Sequence, residues 1–88
     1  MPRRTATNEK NLISQKLISL RQQQNLSQSD LADKLQLIGY PIDKNAISRI
    51  ENNQRFVTDR ELMALSKVLD VSIEFLIGWK SAPETKRP

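Results

Sequence analysis

Residues 26–53 read LSQSDLADKLQLIGYPIDKNAISRIENN, and the reading of this stretch decides the fold. Ser27 followed three residues later by Asp30 is the S-x-x-D form of a capping box. It predicts a helix opening there with Leu31 and Leu35 inward, joined by Ala32 and Ile38. Gly39 ends that helix, Pro41 pushes Tyr40 toward extended backbone, and Asp43 is the natural cap of a second, short helix running to about Asn52. The pair Asn52–Asn53 suits a left-handed terminus. At ~100° per residue, with Lys44 at zero, Ser48 falls at ~40°, Asn52 at ~80°, Asn45 at ~100° and Arg49 at ~140°. Ala46, Ile50 and Ile47 occupy the arc from ~200° to ~300°. One side of the helix therefore packs while the other stays free. A merely solvated helix favours Glu–Lys pairs at i,i+4. This free side instead mixes Lys and Arg with amides and a hydroxyl, and amides and guanidinium groups are the bidentate partners of adenine and guanine edges in a major groove. A plain solvated face remains the alternative at this point.

The 88 residues make one domain, large enough for a compact core. No signal peptide, membrane-length apolar run or lipidation motif is present, so the expected location is cytoplasmic. With no cysteine and no histidine there is no disulfide framework, thiol nucleophile or thiolate metal site, and the commonest base and metal ligand are missing. No metal and no cofactor is expected. Asp30 and Asp33, three apart on a helix, could suggest paired catalytic carboxylates; capping and solvation explain them better, and the chain is not read as an enzyme. Two glycines and four prolines, two of these near the chain ends, leave little for hairpin turns. The expected class is all-α.

The net charge of +4 is a weak guide. Residues 11–79 hold eight basic and eight acidic side chains, and the surplus sits outside them, with Arg3, Arg4 and Lys10 against Glu9 and Lys80, Lys86 and Arg87 against Glu84. The arrangement within the fold has to carry the argument. Residues 44–60 hold Lys44, Arg49, Arg55 and Arg60 against only Glu51 and Asp59.

Outward from the central stretch, a first helix is expected from Asn8, as N-cap, to about Gln24 on Ile13, Leu17 and Leu20, with Asn25 as its stop. Thr58 and Glu61 form a second capping box, opening a fourth helix with Leu62, Leu65, Val68 and Leu69 inward and Asp70 at its end. A fifth runs from Ser72 through Ile77 and is closed by Gly78. The expected organisation is a flexible basic arm at 1–7, a folded domain at 8–80 and a disordered tail at 81–88.

The order of elements, with LSQSDLA, AISRIENN, TDRELMALSKVLDVS and the closing FLIG, resembles the lambda-repressor-like (Cro/repressor, XRE-type) helix-turn-helix family over about residues 11–78. That resemblance implies a compact five-helix DNA-binding domain whose helices two and three form the helix-turn-helix. It implies that Lys44, Asn45, Ser48 and Arg49 enter the major groove and meet bases, and that Gln28, Asn52 and Arg55 grip phosphate. For Gln28 there is an independent argument, since free N–H groups and the dipole at a helix start favour phosphate and an amide adds a donor. Arg21, one turn beyond Leu17, and Glu51, one turn beyond Ile47, both flank packed surfaces. Pairing them is the economical solution, because an unpaired buried charge is costly, and the family often joins these positions by a salt bridge. One departure is that the stretch from Ala32 to Ile47 is about a turn longer than in the most compact members, which blurs which residue reaches which base. Tyr40, within the excess, is read as a lid over the core rather than a phosphate contact.

The resulting expectation is a sequence-specific regulator of transcription acting as a repressor on double-stranded DNA. A single module buries a modest interface, so it should act as a homodimer on a palindromic operator with half-sites about 34–36 Å apart. Phe75, Leu76, Ile77 and Trp79 cannot all face inward; Phe75 or Trp79 is the candidate dimer surface, with simple burial the alternative. The competing function is an antitoxin or protein-interaction adaptor built on the same fold and held by a protein partner.

Overall fold

Four helices open on a side-chain cap. Ser27, Asp43, Thr58 and Ser72 are all extended, and each side chain accepts a hydrogen bond from the backbone N–H three residues on. A computed structural model describes residues 10–79, and these caps begin α2 (Gln28–Leu37), α3 (Lys44–Glu51), α4 (Asp59–Leu69) and α5 (Ile73–Leu76). Two caps are reciprocal boxes. Ser27 N–H donates to Asp30 Oδ2 at 3.0 Å and Asp30 N–H to Ser27 Oγ at 2.9 Å, with Thr58 and Glu61 paired in the same way at 3.1 Å each. Each cap contributes about 1 kcal/mol. The helix ends are equally uniform. Asn25, Gly39, Asn53, Asp70 and Gly78 take positive φ, and the next residue's N–H closes back onto the carbonyl five before it, as in Leu26 to Arg21 (2.9 Å) and Gln54 to Arg49 (2.8 Å). No strand occurs among the described residues.

The first helix departs from expectation. α1 spans Ser14–Gln23, and Ile13 precedes it without a side-chain cap. Residues 10–13 are held by long-range bonds instead. Lys10 N–H and Asn11 N–H both donate to Asn53 Oδ1 (2.7 and 3.1 Å), and Asn11 Nδ2 donates to the carbonyls of Ile50 (3.2 Å) and Arg55 (2.9 Å) while its Oδ1 accepts from Ile13 N–H (3.0 Å). Backbone groups satisfied in this way have no need of a helix. Asn8, the expected arm at 1–7 and the expected tail at 81–88 lie outside the described residues. Replacing Asn11 by alanine leaves the Ile50 and Arg55 carbonyls without that donor and should lower stability by about 1–2 kcal/mol. Urea denaturation measures it, and an unchanged midpoint would show that the knot bears no weight.

The core gathers Ile13, Leu17 and Leu20 from the α1 region, Leu31 and Leu35 from α2, Ile42, Ile47 and Ile50 around α3, and Ala64, Leu65, Leu69, Phe75 and Leu76 from α4 and α5. Ala32, Leu62, Val68 and Tyr40 pack against it partly buried, Tyr40 thereby covering an edge of the core. Ile38 does not join them. It follows the last turn of α2 and is 43% exposed, because the left-handed turn at Gly39 swings the chain away there. No helix among the described residues is long and apolar enough to cross a membrane.

Candidate nucleic-acid interface

α3 is anchored by Ile47 and Ile50, both fully buried, with Ala46 half-buried beside them. Its other side carries Lys44, Asn45, Arg49 and Asn52, all exposed, and Ser48, half-buried. None of these five side chains forms a hydrogen bond or ion pair with another described residue, whereas Asp43 at the start of the helix is occupied in capping Ala46 N–H at 2.8 Å. A short rod fixed by two isoleucines thus presents one ammonium, one guanidinium, two carboxamides and a hydroxyl to solvent. Such groups can donate to phosphates and hydrogen-bond base edges.

Behind the rod, Arg21 and Glu51 meet. Arg21 Nε donates to Glu51 Oε2 at 2.6 Å and Nη2 to Oε1 at 3.0 Å, while Nη1 reaches the Leu26 carbonyl at 3.0 Å. Both side chains are largely shielded, with 15% and 5% of their surface exposed. The hydrogen bond to Glu51 raises the Arg21 pKa further above its ordinary value, against the opposing effect of burial. Gln28 joins the same carboxylate, its Nε2 donating to Glu51 Oε1 at 2.9 Å. The sequence reading placed Gln28 toward DNA and did not anticipate this bond.

Arg55 also has a partner in the fold. Its guanidinium forms a bidentate pair with Glu61, at 2.9 and 3.0 Å, and lies 3.3 Å from the Phe56 carbonyl. The Arg55 bond holds the Glu61 carboxyl below the usual carboxylate range, helped by Thr58 N–H and opposed by burial; Glu61 in turn raises Arg55. Six residues apart across a loop is no helical neighbour distance, so nothing in the spacing marks this pair. Only the second role of Glu61, as capping acid of α4, was visible beforehand. Asp30 is likewise held low by the Ser27 N–H it accepts. A carboxylate whose pKa is depressed by folding stabilises the folded state above its unfolded value and loses that contribution as pH falls through the folded one. Stability should therefore be flat from neutrality down to about pH 5 and then decline below about pH 4, where free Glu and Asp take up protons. Glu61→Gln should flatten the acid limb of a melting-temperature profile; an acid limb identical to that of the native chain would contradict the assignment.

The two residues offered as a dimer surface separate. Phe75 is 9% exposed within the core, with Lys16 Nζ 4.9 Å from its ring centroid, and so offers little surface to a partner. Trp79 is 78% exposed. Leu12, Leu37 and Phe56 are exposed to a similar degree, Lys10 Nζ lying 5.3 Å from the Phe56 ring. No group of three or more His, Cys, Asp or Glu among the described residues could hold a metal ion.

Comparison with known proteins agrees with this geometry. The helix-turn-helix family model matches residues 17–76, from the middle of α1 to the end of α5. Among solved structures the chain is similar to a protein of a SinR protein/SinI protein complex, with TM-score 0.63 and 31% identity over 75% of this chain; it spans 60% of that one. No curated protein matches. A capped α2, a turn, and an α3 anchored by isoleucines with its polar side outward, matched over most of the folded residues, place the chain in the lambda-repressor-like, XRE-type helix-turn-helix family of DNA-binding regulators.

Proposed function

We propose that the chain is a sequence-specific repressor of transcription that lays α3 in the major groove of double-stranded DNA. The observation that carries this reading is the solvent-facing row of exposed Lys44, Asn45 and Arg49 with half-buried Ser48, on a helix whose other side is locked into the core. These four meet base edges, with Gln28 and Asn52 reaching the flanking phosphates. Arg55 belongs beside them; while its guanidinium is held by Glu61, it acts mainly by fixing the loop after α3. Useful specificity from so small a module requires two copies on a palindromic operator, and Trp79, exposed next to α5, is the residue we assign to that contact. The site of action is the cytoplasm.

Selection from a pool of random duplexes tests the reading as a whole. The expected product is an inverted repeat with half-sites about one helical turn apart. Failure to enrich any sequence at modest ionic strength would refute it, and sedimentation showing a single copy on the selected duplex would remove the dimer alone.

A second reading takes support from the similarity to a protein solved in complex with a protein partner, and from the exposed apolar side chains Leu12, Phe56 and Trp79. The same fold would then serve as an antitoxin or adaptor. Co-purification of a stoichiometric partner that displaces DNA would favour it.

A further inference from the structure

Three parts of the fold converge on one carboxylate. Arg21 reaches Glu51 from α1, Gln28 is the first residue of α2, and Glu51 is the last residue of α3. The Glu51 residue is 7% exposed, and its two oxygens accept from Arg21 Nε and Nη2 and from Gln28 Nε2. A carboxylate only accepts hydrogen bonds, so the Gln28 carboxamide has one permitted orientation, with its amino group toward Glu51. A phosphate also only accepts, and it too needs that amino group. The two N–H bonds of Gln28 suffice for both, one directed at Glu51 and the other left for an anion outside.

We propose that Glu51 is a positioning residue for DNA-backbone binding. It fixes the flip and placement of the Gln28 amide, and so ties the start of α2 to the end of the helix that reads the bases. Arg21 neutralises Glu51 from behind, which spares the approaching phosphate a bare carboxylate. The inference rests on the proposed role of Gln28 as a phosphate contact and adds the partner that aims it. With Glu51→Gln, the new side chain can offer either an amino group or a carbonyl, and Gln28 loses its single orientation.

A cycle of variants on a mixed-sequence duplex at low salt, read by fluorescence anisotropy, tests this. The added positive charge of Glu51→Gln acts on both of its members alike and cancels in the ratio. Gln28→Ala should weaken binding about tenfold in the native background and by less than about twofold when Glu51→Gln is already present. An equal loss in both backgrounds overturns the positioning role while leaving the DNA-binding function intact. A Gln28→Ala variant that binds like the native chain removes the phosphate contact and this inference together. A native chain that binds no duplex refutes the proposed function itself.

Should Glu51→Gln fail to fold, nuclear magnetic resonance on the native chain decides. The Gln28 side-chain amide protons should lie away from those of exposed glutamines, and one of them should move again on adding the duplex. A pair at the exposed-glutamine position overturns the inference.

Discussion

Arg21→Ala should lower the unfolding free energy by about 3 kcal/mol, and the melting temperature by roughly 12–24 °C for a domain of this size. The substitution strands Glu51, 5% exposed at its side chain, with Gln28 as its remaining donor, and removes the bond to the Leu26 carbonyl in the turn before α2. Breaking a buried pair by deleting one partner costs about 3–5 kcal/mol; the lower figure applies because Arg21 keeps 15% of its surface and water can follow. The double replacement Arg21→Met with Glu51→Leu should cost less than Arg21→Ala alone, since it leaves no charge unpaired. Thermal denaturation of the three proteins separates the cases. A single variant that melts with the native chain would show that the pair contributes nothing to the fold.

Arg49→Ala should do the reverse, sparing the fold and damaging recognition. Arg49 is exposed and holds no other described residue, so its loss should alter stability by less than about 0.5 kcal/mol. Against the selected operator the same change should weaken binding by about 1–3 kcal/mol and relax the preference at one base pair, as expected when a guanidinium leaves a guanine edge. Binding to mixed-sequence duplex should fall far less. Equal losses on both duplexes would make Arg49 a phosphate contact and shift base reading onto Lys44, Asn45 and Ser48.

The helix starts were legible because capping is local. Ser27 with Asp30, Asp43 with Ala46, and Thr58 with Glu61 each satisfy their hydrogen bonds within four residues, and no distant part of the chain competes for them. Asn8 was the exception. The bonds that decide where α1 begins run from Lys10 and Asn11 to Asn53, Ile50 and Arg55, some forty residues away. Such a partner leaves no trace in local spacing. The division of α3 into a packed and a free side was legible for a different reason, since eight helical residues with two isoleucines three apart define a single stripe. Four residues in α5 define none, and Phe75 and Trp79 could be told apart only once the core had closed over one of them.

What the sequence by itself determined is therefore the set of elements and the chemistry available on each. Caps, left-handed exits and apolar stripes act over a single turn of helix, and they specify an all-α chain with a polar, solvent-facing side at residues 44–52. Tertiary structure alone decided which of the charged and amide groups remain available. Arg55 is drawn to Glu61, Gln28 donates to Glu51, and Asn11 fastens the chain before α1 to the end of α3. A side chain's hydrogen-bonding capacity is written in its type, but whether that capacity is already used depends on which groups the fold brings within about 3 Å.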